Sequence, residues 1–206
     1  MKRCVIVSGA EIENYGIVKT YLRSDDYNIF CDCGLRHRQG LGAEPQLIVG
    51  DFDSYEKPKT DIETISLPCE KDDTDTVFAV KEGLRRGYEE FLIVGAIGQR
   101  LDHSLGNLYI LNMLEELGKK GVIVDDYSEM ELVGRQPVYI EDKYSYFSLV
   151  NISGTAEGIF IEGAKYPLAD AEIKCTYQYG ISNEVTKGGR AKVWVDRGSL
   201  LLIKVR

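Results

Sequence analysis

The chain has 206 residues, a formal net charge of −8, 44% hydrophobic residues and 28% charged residues. This is the make-up of an ordinary globular protein, with room for one large domain or two small ones. The acidic balance argues against binding to nucleic acid, which needs a basic surface, but leaves room for a single nucleotide held by a few local cations.

The N-terminus, Met1-Lys2-Arg3-Cys4-Val5-Ile6-Val7, has too short an apolar core for a signal peptide and leads directly into a strand. No apolar run approaches the ~20 residues needed to span a bilayer, so no membrane is expected. The first ~125 residues alternate short β-rich runs with helical patterns, the signature of a parallel sheet. Strands are predicted at Arg3–Ser8, Asn28–Cys31, Leu47–Val49, Ile62–Leu67, Phe91–Val94 and Val122–Val124. Helices are predicted at Tyr15–Leu22, Thr76–Arg86 and His103–Leu117. Asp75 is placed to cap the second helix, followed by the apolar stripe Val77, Phe78, Val80 and Leu84. In the third, Leu105, Leu108, Leu111, Met113, Leu114 and Leu117 recur at helical spacing before Gly118 stops it.

After Tyr127 the pattern changes to short strands, at 131–133, 137–140, 146–150, 158–161, 191–195 and 200–205, punctuated by Gly, Asn and Pro turns. The expected fold is therefore an N-terminal parallel-sheet α/β domain over residues 1–127, then a small all-β sandwich, jelly-roll-like, over 128–206. So small a β core is expected to pack on the first domain or on another copy. The five cysteines, Cys4, Cys31, Cys33, Cys69 and Cys175, match no zinc spacing and read as reduced thiols of a cytoplasmic protein.

Two acidic clusters follow apolar runs: Gly50-Asp51-Phe52-Asp53-Ser54 and Lys71-Asp72-Asp73-Thr74-Asp75. Carboxylates at the C-terminal mouth of a parallel strand sit where open α/β sheets bind ligands. Asp51 and Asp53 are two apart, so extended geometry turns both toward one ion, in the oxygen-rich arrangement Mg²⁺ adopts when it also holds a phosphate. One Asp of the second cluster would complete such a site and leave Lys71 for phosphate oxygens. The glycines of Gly95-Ala96-Ile97-Gly98 would let backbone N–H groups approach phosphate at a helix start, and Arg100 adds a bidentate fork. His103 reads as a capping or supporting residue. Neither GxGxxG nor GxxxxGK[ST] is present.

Taken in order, these pieces resemble the bacterial-type thiamine pyrophosphokinases nearly end to end. The matching segments are Cys31-Asp32-Cys33-Gly34-Leu35, Gly50–Ser54, Lys71–Thr76, Gly95–His103, Lys165-Tyr166-Pro167-Leu168, Gly180–Glu184 and Gly198–Ile203. The resemblance implies a homodimer with sites at the subunit interface. It also implies transfer of the diphosphoryl group of ATP to the hydroxyl of thiamine, with release of AMP. Carried over by position, Asp51, Asp53 and Asp75 become the metal-binding acids, with Mg²⁺ as cofactor. Lys71 and Arg100 contact the ATP phosphates, Asp32 and Gly34 border the nucleotide, Asp102 lies close to the substrates, and Ser182 and Asn183 contact thiamine. Asp51, Asp53, Asp75 and Arg100 form the catalytic set. No carboxylate is singled out as general base. The chain departs from the family pattern at Gln99, where a glycine is usual, at Cys33, which breaks a glycine pair, and at Asn151, which replaces a proline. No charged group of the proposed site is lost.

Two other readings compete. Asp51-Phe52-Asp53-Ser54 also fits the nucleophile motif of haloacid-dehalogenase-type phosphatases, with Asp125-Asp126 as the later acidic pair, although no lysine is well placed before it. A degenerate nucleotide- or thiamine-binding module without activity is the other.

Overall fold

The computed structural model describes residues 2–53 and 56–206, so Met1 of the N-terminal run and Ser54 of the first acidic motif lie outside the described residues. The chain divides into two compact units, Met1–Asp126 and Tyr127–Arg206.

The first unit runs β1 (Arg3–Val7), α1 (Tyr15–Lys19), β2 (Tyr27–Cys31), a 3₁₀ turn (Asp32–His37), α2 (Arg38–Leu41), β3 (Leu47–Gly50), β4 (Glu63–Ser66), α3 (Asp75–Arg85), β5 (Glu90–Val94), α4 (Leu101–Glu116) and β6 (Lys120–Val124). Its strands pair in parallel in the order β4-β3-β2-β1-β5-β6. The inner strands are buried on both faces, which is why they read as unbroken apolar runs rather than alternations. The chain builds outward from β1 through β4, then returns to β1's other side with β5. That reversal opens a crevice at the C-terminal ends of β1 and β5, the position open α/β sheets use for ligands.

Three helical expectations are corrected. The first helix ends at Lys19, not Leu22, because the chain then turns at Arg23, whose N–H donates to Asp26 Oδ2. The cap of α3 is Thr74, whose hydroxyl accepts from Val77 N at 3.3 Å, so Asp75 is the first helical residue and its carboxylate is not engaged in capping. Along α4 the buried face is Ser104, Asn107, Ile110, Leu111 and Leu114, while Leu105 and Leu117 of the predicted stripe are exposed.

The second unit comprises β7 (Ser128–Val133), β8 (Val138–Glu141), β9 (Tyr146–Val150), β10 (Thr155–Glu162), β11 (Leu168–Lys174), β12 (Arg190–Arg197) and β13 (Leu200–Val205). Antiparallel sheets β7-β13-β9 and β11-β10-β12-β8 enclose a core that includes Phe147, Leu149, Ile159, Ile161, Val193, Val195, Leu200 and Leu202. Strand β11 escaped the sequence pattern: Leu-Ala-Asp-Ala-Glu-Ile-Lys is poor in β-formers, as a polar edge strand can be. Among the described residues no helix is long and apolar enough to cross a membrane.

Lys204 is buried on β13. It pairs with Glu129 and, at 2.7 Å, with Glu131, and Tyr144 OH donates to Glu129 at 2.7 Å. Burial opposes the ammonium charge, but the two glutamates outweigh it and raise the Lys204 pKa. Lys204→Met would remove the cation that Glu129 and Glu131 share. It is expected to cost about 3–5 kcal/mol, read as a lower urea midpoint. An unchanged midpoint would show that the cluster adds nothing to stability.

Candidate active site

A cleft of about 720 Å³ opens at the C-terminal ends of β1, β2, β3 and β5, over the starts of α3 and α4. Its floor is two small-residue loops laid against each other. Ala10 N donates to Gly95 O at 2.7 Å, and a Cβ on Gly95, which has φ +62°, would meet Ser8 O at 2.5 Å. Asn107 Nδ2 donates to Ala96 O at 2.8 Å, and Ser104 Oγ accepts from Gly98 N at 3.0 Å, fixing the second loop from α4. Thus the glycines at 95 and 98 serve close loop packing here, while Gln99 lies exposed on the cleft wall.

Sequence reasoning passed over the first loop and its support, His37. This imidazole is 1% exposed, donates from Nε2 to Ala10 O at 2.8 Å, and accepts at Nδ1 from Tyr15 OH at 2.7 Å. Burial lowers its pKa and so favours the neutral ring. The available signal was Ser8-Gly9-Ala10, a run of small residues straight after a buried strand.

Three carboxylates converge in the cleft. Asp32 follows β2, Asp51 follows β3 and Asp75 opens α3, and one oxygen from each lies within 4.8 Å of the others. The backbone is shaped for this approach: Asp32 has φ +23°, and a Cβ on Gly50 would come within 2.9 Å of Asp32 Cβ. Asp53 lines the same cleft but is not one of the three, because Phe52 takes φ +58° and the segment is not extended. Instead Asp53 N donates to Asp51 Oδ1 at 3.3 Å. The structure therefore brings Asp32, not Asp53, to Asp51 and Asp75.

Lys71 Nζ hydrogen-bonds Asp51 Oδ2 and lies 3.1 Å from Asp75 Oδ1. The hydrogen bond from Lys71 pulls the Asp51 pKa down. Burial pushes Asp75 up despite Lys71, and burial also raises Asp32, with Asp75, Asp51 and Asp53 adding to the effect. For Lys71 itself burial works against the charge, yet its hydrogen bond to Asp51 and its ion pair with Asp75 win and raise its pKa. Among the described residues the buried oxygens Asp32 Oδ1 and Asp75 Oδ1 have no hydrogen-bond partner; Lys71 approaches the latter as an ion pair only. Orphaned acceptors within a group of three carboxylates suit a hard divalent cation with oxygen ligands.

The other expected residues fall elsewhere. Arg100 and Asp102 form a two-pronged ion pair at 2.9 and 2.6 Å on the exposed start of α4; Arg100 lines the cleft, and Asp102 steadies its fork. Gly34 does not line the cleft. A Cβ there would meet Val7 O at 2.2 Å, so its bareness lets the 3₁₀ turn cross β1, while Cys33 and Arg36 reach the cleft wall. In the second unit, Phe147 and Asn183 exchange backbone bonds at 2.8 Å, pinning the 180–184 loop to β9. The Asn183 side chain is 5% exposed and engaged with Tyr166 N at 3.0 Å, Tyr166 O at 2.8 Å and Glu184 N at 2.9 Å, which makes it a loop-positioning group. Ser182 is exposed, with φ +58°. Asp126, needed by the phosphatase reading, accepts from Glu13 N and Asn14 N at 2.9 and 2.8 Å and does not line the cleft.

Comparison with known proteins identifies the family. Residues 18–123 match the family described as "Thiamin pyrophosphokinase, catalytic domain", and residues 137–200 match "Thiamin pyrophosphokinase, vitamin B1 binding domain". The thiamine pyrophosphokinase of Bacillus subtilis (strain 168) is 28% identical over 171 residues, 79% of each chain. Its crystal structure superposes with a TM-score of 0.88 over 99% of both chains, at 24% identity. The thiamin pyrophosphokinase of Geobacillus thermodenitrificans gives 0.83 at 25% identity, over 99% of this chain and 97% of that one. The yeast enzyme keeps the fold at 13% identity, with a TM-score of 0.75 over 100% and 86%. Both units of this chain are thus accounted for, and it belongs to the thiamin pyrophosphokinase family.

Proposed function

We propose that this protein transfers the diphosphoryl group of ATP to the hydroxyl of thiamine, releasing thiamine diphosphate and AMP, with Mg²⁺ as cofactor. The observation that carries this reading is the Asp32–Asp51–Asp75 group with Lys71 beside it, inside the segment that matches the catalytic domain. Asp32, Asp51 and Asp75 would hold the metal, with Asp53 lining the same cleft. When bound, the ion neutralises phosphate charge and fixes the nucleotide's orientation. Lys71 and Arg100 bind phosphate oxygens, Lys71 as a mobile point charge and Arg100 as a planar fork already oriented by Asp102. The thiamine oxygen attacks the β-phosphorus and gives up its proton to water or a phosphate oxygen, the bond to the α-phosphate oxygen breaks, and AMP departs with that electron pair. Such transfers depend chiefly on positioning and charge stabilisation, so a strongly basic residue beside the hydroxyl is not required.

The thiamine side is assigned to the second unit, with Ser182 as a contact and Asn183 as the residue that fixes Tyr166 beside it. We place the enzyme in the cytoplasm as a homodimer. Free thiols at all five cysteines support the first. The exposed apolar line Leu101, Leu105 and Tyr109 on α4 supports a covering copy. Purified protein with thiamine, ATP and Mg²⁺ should yield AMP and thiamine diphosphate in equal amounts. Release of inorganic phosphate without any acceptor would overturn this in favour of a phosphatase. A fully active monomer in sedimentation would refute the dimer.

A further inference from the structure

The group of carboxylates already contains a cation. Lys71 Nζ bridges Asp51 and Asp75, and the side chains of all three are largely shielded, with exposures of 16%, 11% and 21%. Asp32 completes the group at 7% exposure, with its Oδ1 buried and unpartnered. Building on the diphosphoryl-transfer reading above, we propose that Lys71 is the resident counter-ion of this site: the metal enters together with the nucleotide, and Lys71 moves from the carboxylates to the phosphate oxygens as it does.

The reasoning is one of charge and space. A divalent ion bound to Asp51 and Asp75 competes with Lys71 for the same two carboxylates, and the two cations repel at contact distance. Metal arriving alone would push the ammonium into a cleft whose nearby Asp73 is already paired with Lys81. Metal arriving with a nucleotide brings phosphate oxygens that accept the displaced ammonium. The position suits the movement, since Lys71 lies in the irregular segment before α3, three residues ahead of its Thr74 cap, and can swing without unwinding the helix. Its long flexible stem and compact charge make lysine, not arginine, the fitting residue. Coupling between metal and nucleotide is then reciprocal, because each makes room or provides a partner for what the other requires.

The test is Mn²⁺ binding by calorimetry to the full-length protein without nucleotide. Lys71→Gln keeps a polar side chain, one bond shorter, and removes its charge, so the variant should bind Mn²⁺ about tenfold or more tightly than the wild type. Equal or weaker binding would overturn the proposal. Wild-type protein labelled on its lysine nitrogens provides a check that does not depend on the variant's folding. The Lys71 ammonium signal should be unmoved by Mg²⁺ alone and shifted by Mg²⁺ with an α,β-bridged ATP analogue. A shift with Mg²⁺ alone would overturn it too. These readouts are separable from the reaction itself. Tighter Mn²⁺ binding by Lys71→Gln in a protein that forms no AMP would retire the diphosphoryl transfer and keep the counter-ion. An active enzyme whose variant gains no affinity would do the reverse.

Discussion

Asp32→Asn should lower turnover by about a hundredfold or more while raising the melting temperature of the metal-free protein. Loss of activity is expected because Asp32 supplies one of the three converging carboxylates. Gain of stability follows from the same geometry. The carboxylate is 7% exposed, has an orphaned buried oxygen and faces Asp51 and Asp75. Burial and those neighbours raise its pKa, so the fold disfavours its ionised form at neutral pH. The contribution of such a group to stability is full below the ordinary carboxylate range and is lost as pH rises through the raised value. Asparagine removes that loss, and it also tolerates the residue's positive φ of +23°. A relief of about 1 kcal/mol corresponds to roughly 2–4 °C in a chain of this size. Asp51→Asn is the contrast. Its carboxyl is held below the usual range by Lys71, so the same exchange there should lower both turnover and stability. An Asp32→Asn protein that melts lower than wild type, or retains near-normal kcat, would sink the assignment.

Much of this was legible in the sequence, for identifiable reasons. The parallel strands are buried on both faces, so Cys4–Val7 and Phe91–Val94 stand out as apolar runs that local pattern alone can find. The acidic clusters were visible because carboxylates directly after such runs stand at the strand ends where open α/β sheets bind ligands. What stayed hidden depended on backbone geometry or on partners distant in sequence. Asp51 and Asp53 looked paired only on the assumption of an extended chain, and Phe52 at φ +58° removes it. Asp32 joins Asp51 because Gly50 lets β3 pass close to it, a contact between neighbouring strands that no spacing encodes. Asn183 read as a ligand contact, yet its amide closes on Tyr166, 17 residues away. The resemblance located the motifs; it did not say which side chains would face the ligand and which would hold the loop.

The outcome that separates this chemistry most completely from ordinary kinase action is the fate of bridged ATP analogues. A γ-phosphoryl transferase cleaves the bond between the β- and γ-phosphates and releases ADP. Attack at the β-phosphorus cleaves the bond between the α- and β-phosphates, so an analogue with a methylene at that bridge should bind with Mg²⁺ and yield no product at all. Its β,γ-bridged counterpart leaves the breaking bond intact and should still donate, giving AMP and a bridged diphosphate ester of thiamine. The geometry of Asp32, Asp51, Asp75, Lys71 and Arg100 would serve either transfer, since both need charge neutralised on the moving group and on the one departing. The choice of phosphorus therefore rests on where the thiamine hydroxyl is held along the phosphate chain, a matter of positioning with large leverage on rate. Mass spectrometry of the products decides it. AMP with thiamine diphosphate confirms attack at the β-phosphorus. ADP with thiamine monophosphate would show the acceptor seated one phosphate further out, with the same carboxylates and cations neutralising charge on a different transferring group.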